Sequence, residues 1–383
     1  MTGAGAATFG AAVSEHPDAA EAVAEAAGAV LDRVGPGADV VLLFVTGAHA
    51  AAMADIAAAV QAILRPGAFI GTTAIGVVGG PTEVEDRPAV SVWAGRTGPV
   101  EAVRLEVVRS ADGTAVVGMP DDAARGRRTL ILLSDPYSFP TEAFVAAGNE
   151  QYPDLTIVGG MASAGGPGVD RLVVQGEIHF DGAVAVLLPE GLDDTAVVSQ
   201  GCRPVGEPLI VTSAERNLLR ELGSRPALDR LRSLIEAADD DERELLARGL
   251  HVGMVIDEGA ADFRRGDFLI RGVLGADPEA GAIRVGDHVP VGTTVQFHVR
   301  DAASASEDLH EMLGPVDADA ALVFTCNGRG IRLFGAPDHD AGMVHDAVHG
   351  GAVAGMFCAG EVGPVRGRNH VHGFTASVLL FYG

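Results

Sequence analysis

Residues 39–46 read DVVLLFVT, an uninterrupted apolar run that predicts a strand buried on both faces. An alanine-rich stretch with helical spacing follows at 50–64, and FIGTTAIGVVGG at 69–80 predicts a strand that runs into a glycine-rich loop. The separation from the first strand to the glycine loop, about thirty residues, is the size of a strand–helix–strand unit. This stretch predicts a mixed α/β fold.

The same order of elements recurs twice further along the chain. RTLILLS at 128–134 predicts a strand, 140–149 a helix, and TIVGGMASAGG at 156–166 a strand entering a glycine loop. The third copy comprises a strand AALVFTC at 320–326, a helix at 338–348, and VAGMFCAGEVGP at 353–364. Each copy is closed by a further predicted strand, at 89–94, 183–188 and 372–381. We therefore expect a two-domain α/β (mixed α+β) protein with repeated strand–helix–strand units, whose glycine loops emerge from equivalent strand ends.

The remainder of the chain has a different pattern. Two strands are predicted within 195–213, further strands at 268–274 and 293–299, and helices at 15–34, 225–236 and 241–248. Gly223-Ser224-Arg225-Pro226 interrupts the strand-rich part before the helical pair. This break predicts an N-terminal helix and extension at 1–37, one domain at 38–224 and a second at 225–383.

The charge composition excludes several classes of protein. The chain has 383 residues, a formal charge of −25 and 27 basic side chains, all of them arginine. Without lysine there is no P-loop lysine for phosphates, no Schiff-base amine and no anchor for pyridoxal phosphate. The acidic balance argues against nucleic acid, whose backbone is bound by clustered cations. The base composition of a GC-rich genome explains the use of arginine in place of lysine as well as a functional requirement does.

The cysteine count and the apolar runs predict the compartment. Cys202, Cys326 and Cys358 are an odd number of widely separated thiols, which is typical of a reducing compartment. The first residues lack the basic segment of a signal peptide, and uninterrupted apolar runs such as Val40–Val45 are too short to span a bilayer. We expect a cytoplasmic protein that does not bind membranes.

Motifs of common enzyme classes are incomplete in this sequence. No stretch reads G-x-G-x-x-G between a strand and a helix, and the nearest approach to G-x-S-x-G has Met161 in place of the first glycine. His345 and His349 are four apart on a predicted helix, with His339 or Asp340 nearby. Spacing of this kind is common on exposed helices, so we expect no metal and no cofactor.

Two cysteines stand at predicted strand ends next to polar residues. Cys326 precedes Asn327-Gly328-Arg329-Gly330, and Cys358 precedes Ala359-Gly360-Glu361. A thiol beside arginine can have a lowered pKa and act as a nucleophile, whereas a buried cysteine at a strand end is more often a small apolar residue. No histidine–aspartate partner is evident in the sequence, so the apolar role is favoured.

Several segments together resemble the signature stretches of FIST proteins, in which a FIST N region precedes a FIST C region. They are GCRPVGEPLIV at 201–211, CNGRG at 326–330, FGAPDHDA at 334–341, GMFCAGEVGP at 355–364 and NHVHGFTASVLL at 369–380. Residues 159–166 and the strand–helix start from Asp39 resemble the family's N-terminal half. On this resemblance 38–224 is FIST N-like and 225–383 is FIST C-like. The resemblance implies a sensory, ligand-binding module of signal transduction that recognises small molecules such as amino acids.

Residues that suit a zwitterionic ligand lie in these segments. Arginine forks grip carboxylates, acidic side chains accept an ammonium group, and amides both donate and accept. The ligand-binding candidates are Arg203, Cys326, Asn327, Arg329, Asp338, His339, Glu361, Asn369 and His372. Asp340 is a further acceptor for an ammonium group, and an ion pair between Arg329 and Glu361 that only bridges two loops is an equal alternative.

Three functions remain open on the sequence. The first is a small-molecule-binding FIST protein with its pocket at the glycine loops of the C-terminal half, acting with a signalling protein as partner. The second is an enzyme of unknown reaction, with Cys326 or Cys358 as nucleophile and His339 or His372 as base. The third is a protein–protein adaptor that uses the same loops. The sequence does not determine the ligand or the oligomeric state.

Overall fold

A computed structural model describes residues 7–110, 113–260 and 262–383. These residues form two compact units. The first unit contains the chain up to Val198 together with Leu309–Val371 and Thr375–Gly383, and the second contains Ser199–Asp308 and His372–Phe374. The division into units thus differs from a single cut along the sequence, because the chain leaves the first unit after Val198 and returns to it at Leu309.

Both units contain more strands than helices. The helices are α1 (Ala19–Val34), α2 (Met53–Leu64), α3 (Thr141–Gln151), α4 (Ala227–Ala237), α5 (Asp240–Arg248), α6 (Ala302–Leu313), α7 (Ile331–Phe334) and α8 (His339–Ala347), with 3-10 turns at Gly47–Ala52 and Asp121–Ala124. The strands of the first half are β1 (Thr8–Ser14), β2 (Val40–Thr46), β3 (Ala68–Ala74), β4 (Gly76–Gly79), β5 (Thr82–Glu85), β6 (Val90–Arg96), β7 (Glu101–Ser110), β8 (Gly113–Val117), β9 (Arg128–Ser134), β10 (Leu155–Met161), β11 (Leu172–Val174), β12 (Glu177–His179) and β13 (Ala183–Leu187). Those of the second half are β14 (Asp194–Gln200), β15 (Cys202–Glu215), β16 (Leu218–Leu222), β17 (Arg225–Pro226), β18 (Leu250–Val255), β19 (Phe268–Asp277), β20 (Ala282–Val285), β21 (Thr294–Arg300), β22 (Ala320–Cys326), β23 (Ala352–Cys358), β24 (Glu361–Val365), β25 (Arg368–His372) and β26 (Thr375–Phe381).

The first unit contains three modules of the same construction, which confirms the predicted repeat and the mixed α/β class. In each module two parallel strands flank a helix and an antiparallel strand closes one side: β2, β3 and β6 in the first module, β9, β10 and β13 in the second, β22, β23 and β26 in the third. The strands of the parallel pairs are buried almost throughout, as their continuous apolar sequences predict. Their carboxyl ends therefore lie at equivalent positions in three sheets.

A hairpin follows each second parallel strand, and in the second module the predicted glycine loop is present at 162–171 before the hairpin, whereas in the first module Gly76 and Gly79 lie in β4 itself. Each hairpin pairs with the parallel strand of a different module. β4–β5 of the first module adds to β23, β11–β12 of the second adds to β3, and β24–β25 of the third adds to β10. The exchange is cyclic, so each sheet is completed by a segment distant in sequence. Sequence periodicity cannot show this, because it reports only the local conformation.

One glycine in each second parallel strand explains part of the glycine pattern. The three glycines and their register partners are Gly71 with Leu43, Gly159 with Leu132, and Gly355 with Val323. A Cβ atom at any of them would lie under 3.0 Å from the carbonyl oxygen of its partner. The neighbouring backbone has no room for a side chain, so these positions require glycine for packing.

Helix α1 begins four residues later than the sequence pattern suggested. The prediction placed its start at residue 15, whereas the helix starts at Ala19 and Asp18 is its N-cap. The Asp18 carboxylate accepts hydrogen bonds from the backbone N–H groups of Ala20 and Glu21, at 2.9 and 3.2 Å. Side-chain capping of this kind satisfies amides that have no partner inside the helix.

One helical stretch among the described residues, Gly47–Leu64, is long and apolar enough to cross a membrane by length and composition. The prediction of no spanning segment counted only uninterrupted apolar runs, and this stretch contains Asp55. Its first part is a 3-10 turn, and Met53, Ile56 and Val60 are buried in the first module. Their helical spacing is that of a helix packed on a protein core.

The second unit is an antiparallel sheet with two helices. Its strands follow the order β15, β21, β18, β19, β20, β16 and β17, and β15 also pairs with β16. The helices α4 and α5 pack an apolar face against this sheet. Two histidines of neighbouring strands, His251 and His298, are register partners and are 4% and 1% exposed. This unit thus buries two titratable side chains in a core that is otherwise mainly apolar.

Candidate functional site

The carboxyl ends of the parallel strands in the third module bring two thiols together. Cys326 is the last residue of β22 and Cys358 the last residue of β23, and the two are register partners. Both are buried. The chain turns directly after Cys326, where the backbone N–H of Gly328 donates to the Cys326 Sγ at 3.4 Å.

A buried ion pair lies in the turn after Cys326. Arg329 is 1% exposed and donates from Nε and Nη2 to the two carboxylate oxygens of Asp340, at 2.6 and 2.8 Å. Asp340, on α8, is fully buried and also contacts the Thr325 hydroxyl and the His339 ring. Burial alone would raise the pKa of Asp340, but the guanidinium of Arg329 lowers it well below its usual range. Asp340 therefore carries a full negative charge, and two of the three Arg329 nitrogens are already bound to it.

The hairpin β4–β5 of the first module adds two carboxylates beside this ion pair. Glu83 Oε1 accepts hydrogen bonds from the backbone N–H groups of Asp340 and Ala341, each at 3.0 Å, at the start of α8. Burial, and then the charge of Asp340, raises the pKa of Glu83 to about 7. Glu85 Oε1 accepts from the Ile331 N–H at 2.9 Å, and burial raises its pKa. Neither residue is recognisable as part of a site from the sequence, because only the donated hairpin brings Glu83 and Glu85 near a segment about 250 residues away.

Glu361 is the first residue of β24 and is fully buried. Its Oε2 accepts from the Thr375 hydroxyl at 2.8 Å and from the Thr375 N–H at 3.1 Å. Burial raises the pKa of Glu361 to about 8, although Thr375, the Arg329 charge and a hydrogen bond with the Cys326 thiol all favour the carboxylate. Glu361 is therefore largely protonated at neutral pH. We refer to Cys326, Arg329, Asp340, Cys358, Glu361 and Glu83 as the buried polar cluster.

Three atoms of the buried polar cluster have no hydrogen-bond partner of good geometry among the described residues. They are Arg329 Nη1, Glu361 Oε1 and Glu83 Oε2, each without solvent exposure. A buried polar group without a partner costs about 1–3 kcal/mol. The cluster thus retains both a donor and acceptors for a further polar group.

The other predicted binding residues of the first unit differ in their availability. Asn327 and His339 lie half-buried next to the cluster, and the His339 ring stacks on Phe334. Asp338 accepts a hydrogen bond from the Glu83 N–H at 2.7 Å. Asn369 lies elsewhere: its side chain bonds the backbone of Ile157 and Leu155 and the amide of Asn149, so it joins β25 to β10.

The remaining predicted residues belong to the second unit. Arg203 donates from Nε to Asp301 at 3.2 Å and has Glu242 at 3.7 Å, so its guanidinium is paired with two carboxylates. His372 is 3% exposed. The structure therefore does not bring all nine candidates into one cluster of the first unit. The predicted ion pair between Arg329 and Glu361 is also wrong in its partner, because Arg329 pairs with Asp340.

The candidate catalytic residues Cys358 and His339 lie in different surroundings. Burial, and then the charge of Glu361, raises the pKa of the Cys358 thiol well above its usual value, so this thiol stays protonated at neutral pH. The His339 Nδ1 lies 2.9 Å from Asp340 Oδ1. His349 pairs with Asp317, and among the residues that the structure describes no group of three or more His, Cys, Asp or Glu side chains is arranged to hold a metal ion.

Two domain models and several mycobacterial proteins match this chain. The FIST N domain model matches residues 39–225 and the FIST C domain model matches residues 227–364. The chain is 45% identical over 383 residues to the uncharacterized protein MT0656 of Mycobacterium tuberculosis, covering 97% of this chain and 99% of that protein. It is 43% identical over 381 residues to the uncharacterized protein Mb0898c of Mycobacterium bovis, covering 97% and 98%. A mixed α/β chain with a FIST N region followed by a FIST C region belongs to the FIST family, and this chain is a member of it.

Proposed function

We propose that this FIST protein is a cytoplasmic sensory protein that binds a small zwitterion or anion, such as an amino acid, at the buried polar cluster. The proposal includes a signalling protein as the partner that reads the bound state. Residues Arg329, Glu361 and Glu83 are the ligand contacts, with Asn327 and His339 at the half-buried rim. Arg203 and Asn369 are left out, because their side chains are taken up by other protein groups.

The single observation that carries the proposal is the set of unpartnered atoms at Arg329, Glu361 and Glu83. A ligand that supplies an acceptor to Arg329 Nη1 and donors to the two carboxyls would recover hydrogen bonds that the protein lacks. An α-amino acid has this combination of groups. Binding of such a ligand stabilises the folded protein by mass action.

The occupied nitrogens of Arg329 limit how a carboxylate can bind. Since Nε and Nη2 are held by Asp340, a ligand carboxylate meets Nη1 alone and not the two-pronged fork that the sequence suggested. Every basic side chain of the protein is arginine, so Arg329 supplies the fixed positive charge of this cluster. We expect one charge-assisted hydrogen bond to the ligand from this residue.

Because Glu361 is protonated in the free protein, proton release on binding distinguishes a ligand that has an ammonium group from one that has none. A ligand ammonium beside Glu361 favours the carboxylate, and so lowers the pKa of Glu361 from its value of about 8. Binding near neutral pH should then release a proton. A simple carboxylate without an amine would release none, so the proton count distinguishes an amino acid from a keto acid.

The test is a ligand screen with a matched pair of variants. Thermal unfolding is followed with amino acids, keto acids and nucleotides, and hits are measured by titration calorimetry in two buffers of different ionisation enthalpy. Glu361→Gln should abolish the shift, whereas Asp170→Asn, which alters an equally buried acid with one unpartnered oxygen in the second module, should keep it. No shift across the panel, or an equal loss in both variants, would contradict the proposal.

A further inference from the structure

We infer that Cys326 and Cys358 form a reversible thiol–disulfide pair that is oxidised by small-molecule disulfides of the glutathione type. This goes beyond the proposed function, because it assigns covalent chemistry to the third module whether or not a ligand binds there. The inference rests on the register of the two thiols, on the groups around them, and on a comparison of the three modules.

The register places the two thiols within reach of one another. Cys326 and Cys358 are partners on adjacent parallel strands, which lie about 4.8 Å apart, and register partners in a parallel pair extend to the same face of the sheet. Disulfides join residues whose Cα atoms are about 4.4–6.8 Å apart. The bridge therefore needs only a small adjustment of the strand ends.

A glycine of the second module keeps the space around the sulfur open. Gly160 is the register partner of Glu361, and a Cβ atom at Gly160 would overlap the Cys358 Sγ. Any other residue at this position would force the Cys358 side chain to move. The absence of a side chain at Gly160 thus preserves the position of the Cys358 sulfur.

The surroundings assign different roles to the two thiols. Cys326 receives the Gly328 N–H at 3.4 Å and interacts with the Arg329 charge, and both contacts favour its thiolate. It is 6% exposed and lies beside the half-buried Asn327, whereas Cys358 is 0% exposed. Cys326 is thus the attacking thiol and Cys358 the resolving thiol.

The chemical step is balanced by the oxidant. The Cys326 thiolate attacks one sulfur of the small disulfide, which forms a mixed disulfide and releases one small thiolate that takes up a proton. Cys358 then attacks the Cys326 Sγ, the mixed bond breaks, and the second small thiol leaves. Glu361 interacts with both thiols, and its carboxylate form, which is the minor form at neutral pH, accepts the proton of Cys358 as it attacks and passes it to the departing thiolate. The protein loses two hydrogen atoms and the small disulfide gains them.

The other two modules show that the fold does not require this set of residues. The positions equivalent to Cys326, Cys358 and Glu361 follow from the register of the parallel strands and the donated hairpins. Counted from the glycine of each second parallel strand and its strand partner, they are Thr46, Ala74 and Val77 in the first module and Asp135, Ala162 and Leu172 in the second. Two thiols and an acid coincide only in the third module, so their presence points to chemistry and not to packing.

The experiment uses the intact protein without added ligand, so its result is independent of the ligand screen. The native protein is incubated with oxidised glutathione, denatured, alkylated and digested with trypsin, which cleaves after arginine. The linked fragments should be 301–329 and 333–366, because Arg300, Arg329, Arg332 and Arg366 bound them. Cys202, which is buried in the second unit, is the internal control and should be alkylated.

Two variants separate the roles of the thiols. Cys358→Ser should trap glutathione on Cys326, and Cys326→Ser should leave Cys358 unmodified over the same time. Glu361→Gln should slow closure of the mixed disulfide by about tenfold or more. If a variant does not fold, the wild-type cross-link alone decides.

A lack of cross-link in wild-type protein whose Trp93 emission remains native would overturn the inference. Glutathione attached to Cys358 in the Cys326→Ser variant would overturn the assignment of roles. Reduction with dithiothreitol should restore both thiols, as expected for a reversible disulfide.

Discussion

Replacing Glu361 with glutamine should make the first unit more stable in alkali and less sensitive to pH. The pKa of Glu361 is raised from 4.5 to about 8, so the folded protein binds a proton that the unfolded chain releases between these values. Stability from such a group is fully present below the unfolded pKa and is lost as the pH rises through the folded pKa. Glutamine keeps the shape of the side chain and carries no charge.

The magnitude follows from the size of the shift. One pKa unit corresponds to about 1.4 kcal/mol, so the rise of Glu361 corresponds to about 5 kcal/mol when the group is ionised in both states. Between pH 6 and pH 9 the wild-type free energy of unfolding should fall by about 2–3 kcal/mol through this residue alone. Glu83, whose pKa is raised to about 7, adds a smaller fall in the same direction that the variant keeps.

Urea denaturation followed by tryptophan fluorescence reports on the unfolding of the first unit, which contains Glu361. Trp93 is the single tryptophan of the chain, is fully buried in the first unit, and packs against Phe9 and Phe381. Urea unfolding at pH 6 and pH 9 gives the two free energies for wild type, for Glu361→Gln and for Glu101→Gln. Glu101 is an exposed carboxylate of the same unit and serves as the control.

The reasoning would be refuted by an equal pH dependence in wild type and in Glu361→Gln. It would also be refuted if the variant lost stability at pH 9, because that would show that the ionised carboxylate contributes favourably. A change in Glu101→Gln of the same size would mean that the effect reflects net charge and not burial.

Three further predictions concern other parts of the fold. Burial lowers the pKa of His251 and of His298 to about 4, so stability from the neutral rings is lost as the pH falls from 6.5 towards 4. At pH 5.5 each of the two neutral histidines should lower the free energy of unfolding by about 1 kcal/mol. The loss should appear as faster amide exchange in 250–255 and 294–300, and unchanged exchange would contradict this prediction. Gly355→Ala should lower stability by about 1–3 kcal/mol, whereas Gly342→Ala, in an open helical position, should raise it slightly in the same urea assay. Asp340→Asn should cost about 3–5 kcal/mol in that assay, since it leaves a buried guanidinium without its partner; a cost under about 1 kcal/mol would show that the pair is not essential.

The local elements follow closely from the sequence. Continuous apolar runs such as 40–46 and 320–326 are buried strands, and the helix after each has the predicted position to within a few residues. The acidic run at Asp239–Glu242 is also at a helix start, where Asp239 caps α5 through the Glu242 N–H at 2.8 Å. These features depend on side-chain period and backbone amides within a few residues, so the sequence contains the information needed to predict them.

The candidate site was predictable only in part. Cys326, Arg329 and Glu361 were found because polar residues at the ends of apolar strands indicate a site at the edge of a sheet. The partner of Arg329 was not determined, since choosing Asp340 over Glu361 depends on the path of the chain through α7 and the start of α8. The pKa values of Glu361 and Glu83 depend on complete burial, which residue spacing does not report.

By itself, the sequence determined the class of fold, the threefold recurrence of strand–helix–strand units and the absence of lysine chemistry, because each depends on composition or on short-range periodicity. Only the tertiary structure decided the exchange of hairpins among the modules, which brings Glu83 to Asp340 across about 250 residues. The physical reason is that strand pairing uses backbone hydrogen bonds, which are the same for nearly all residues. The choice of partner strand therefore rests on how the whole chain buries its apolar surface.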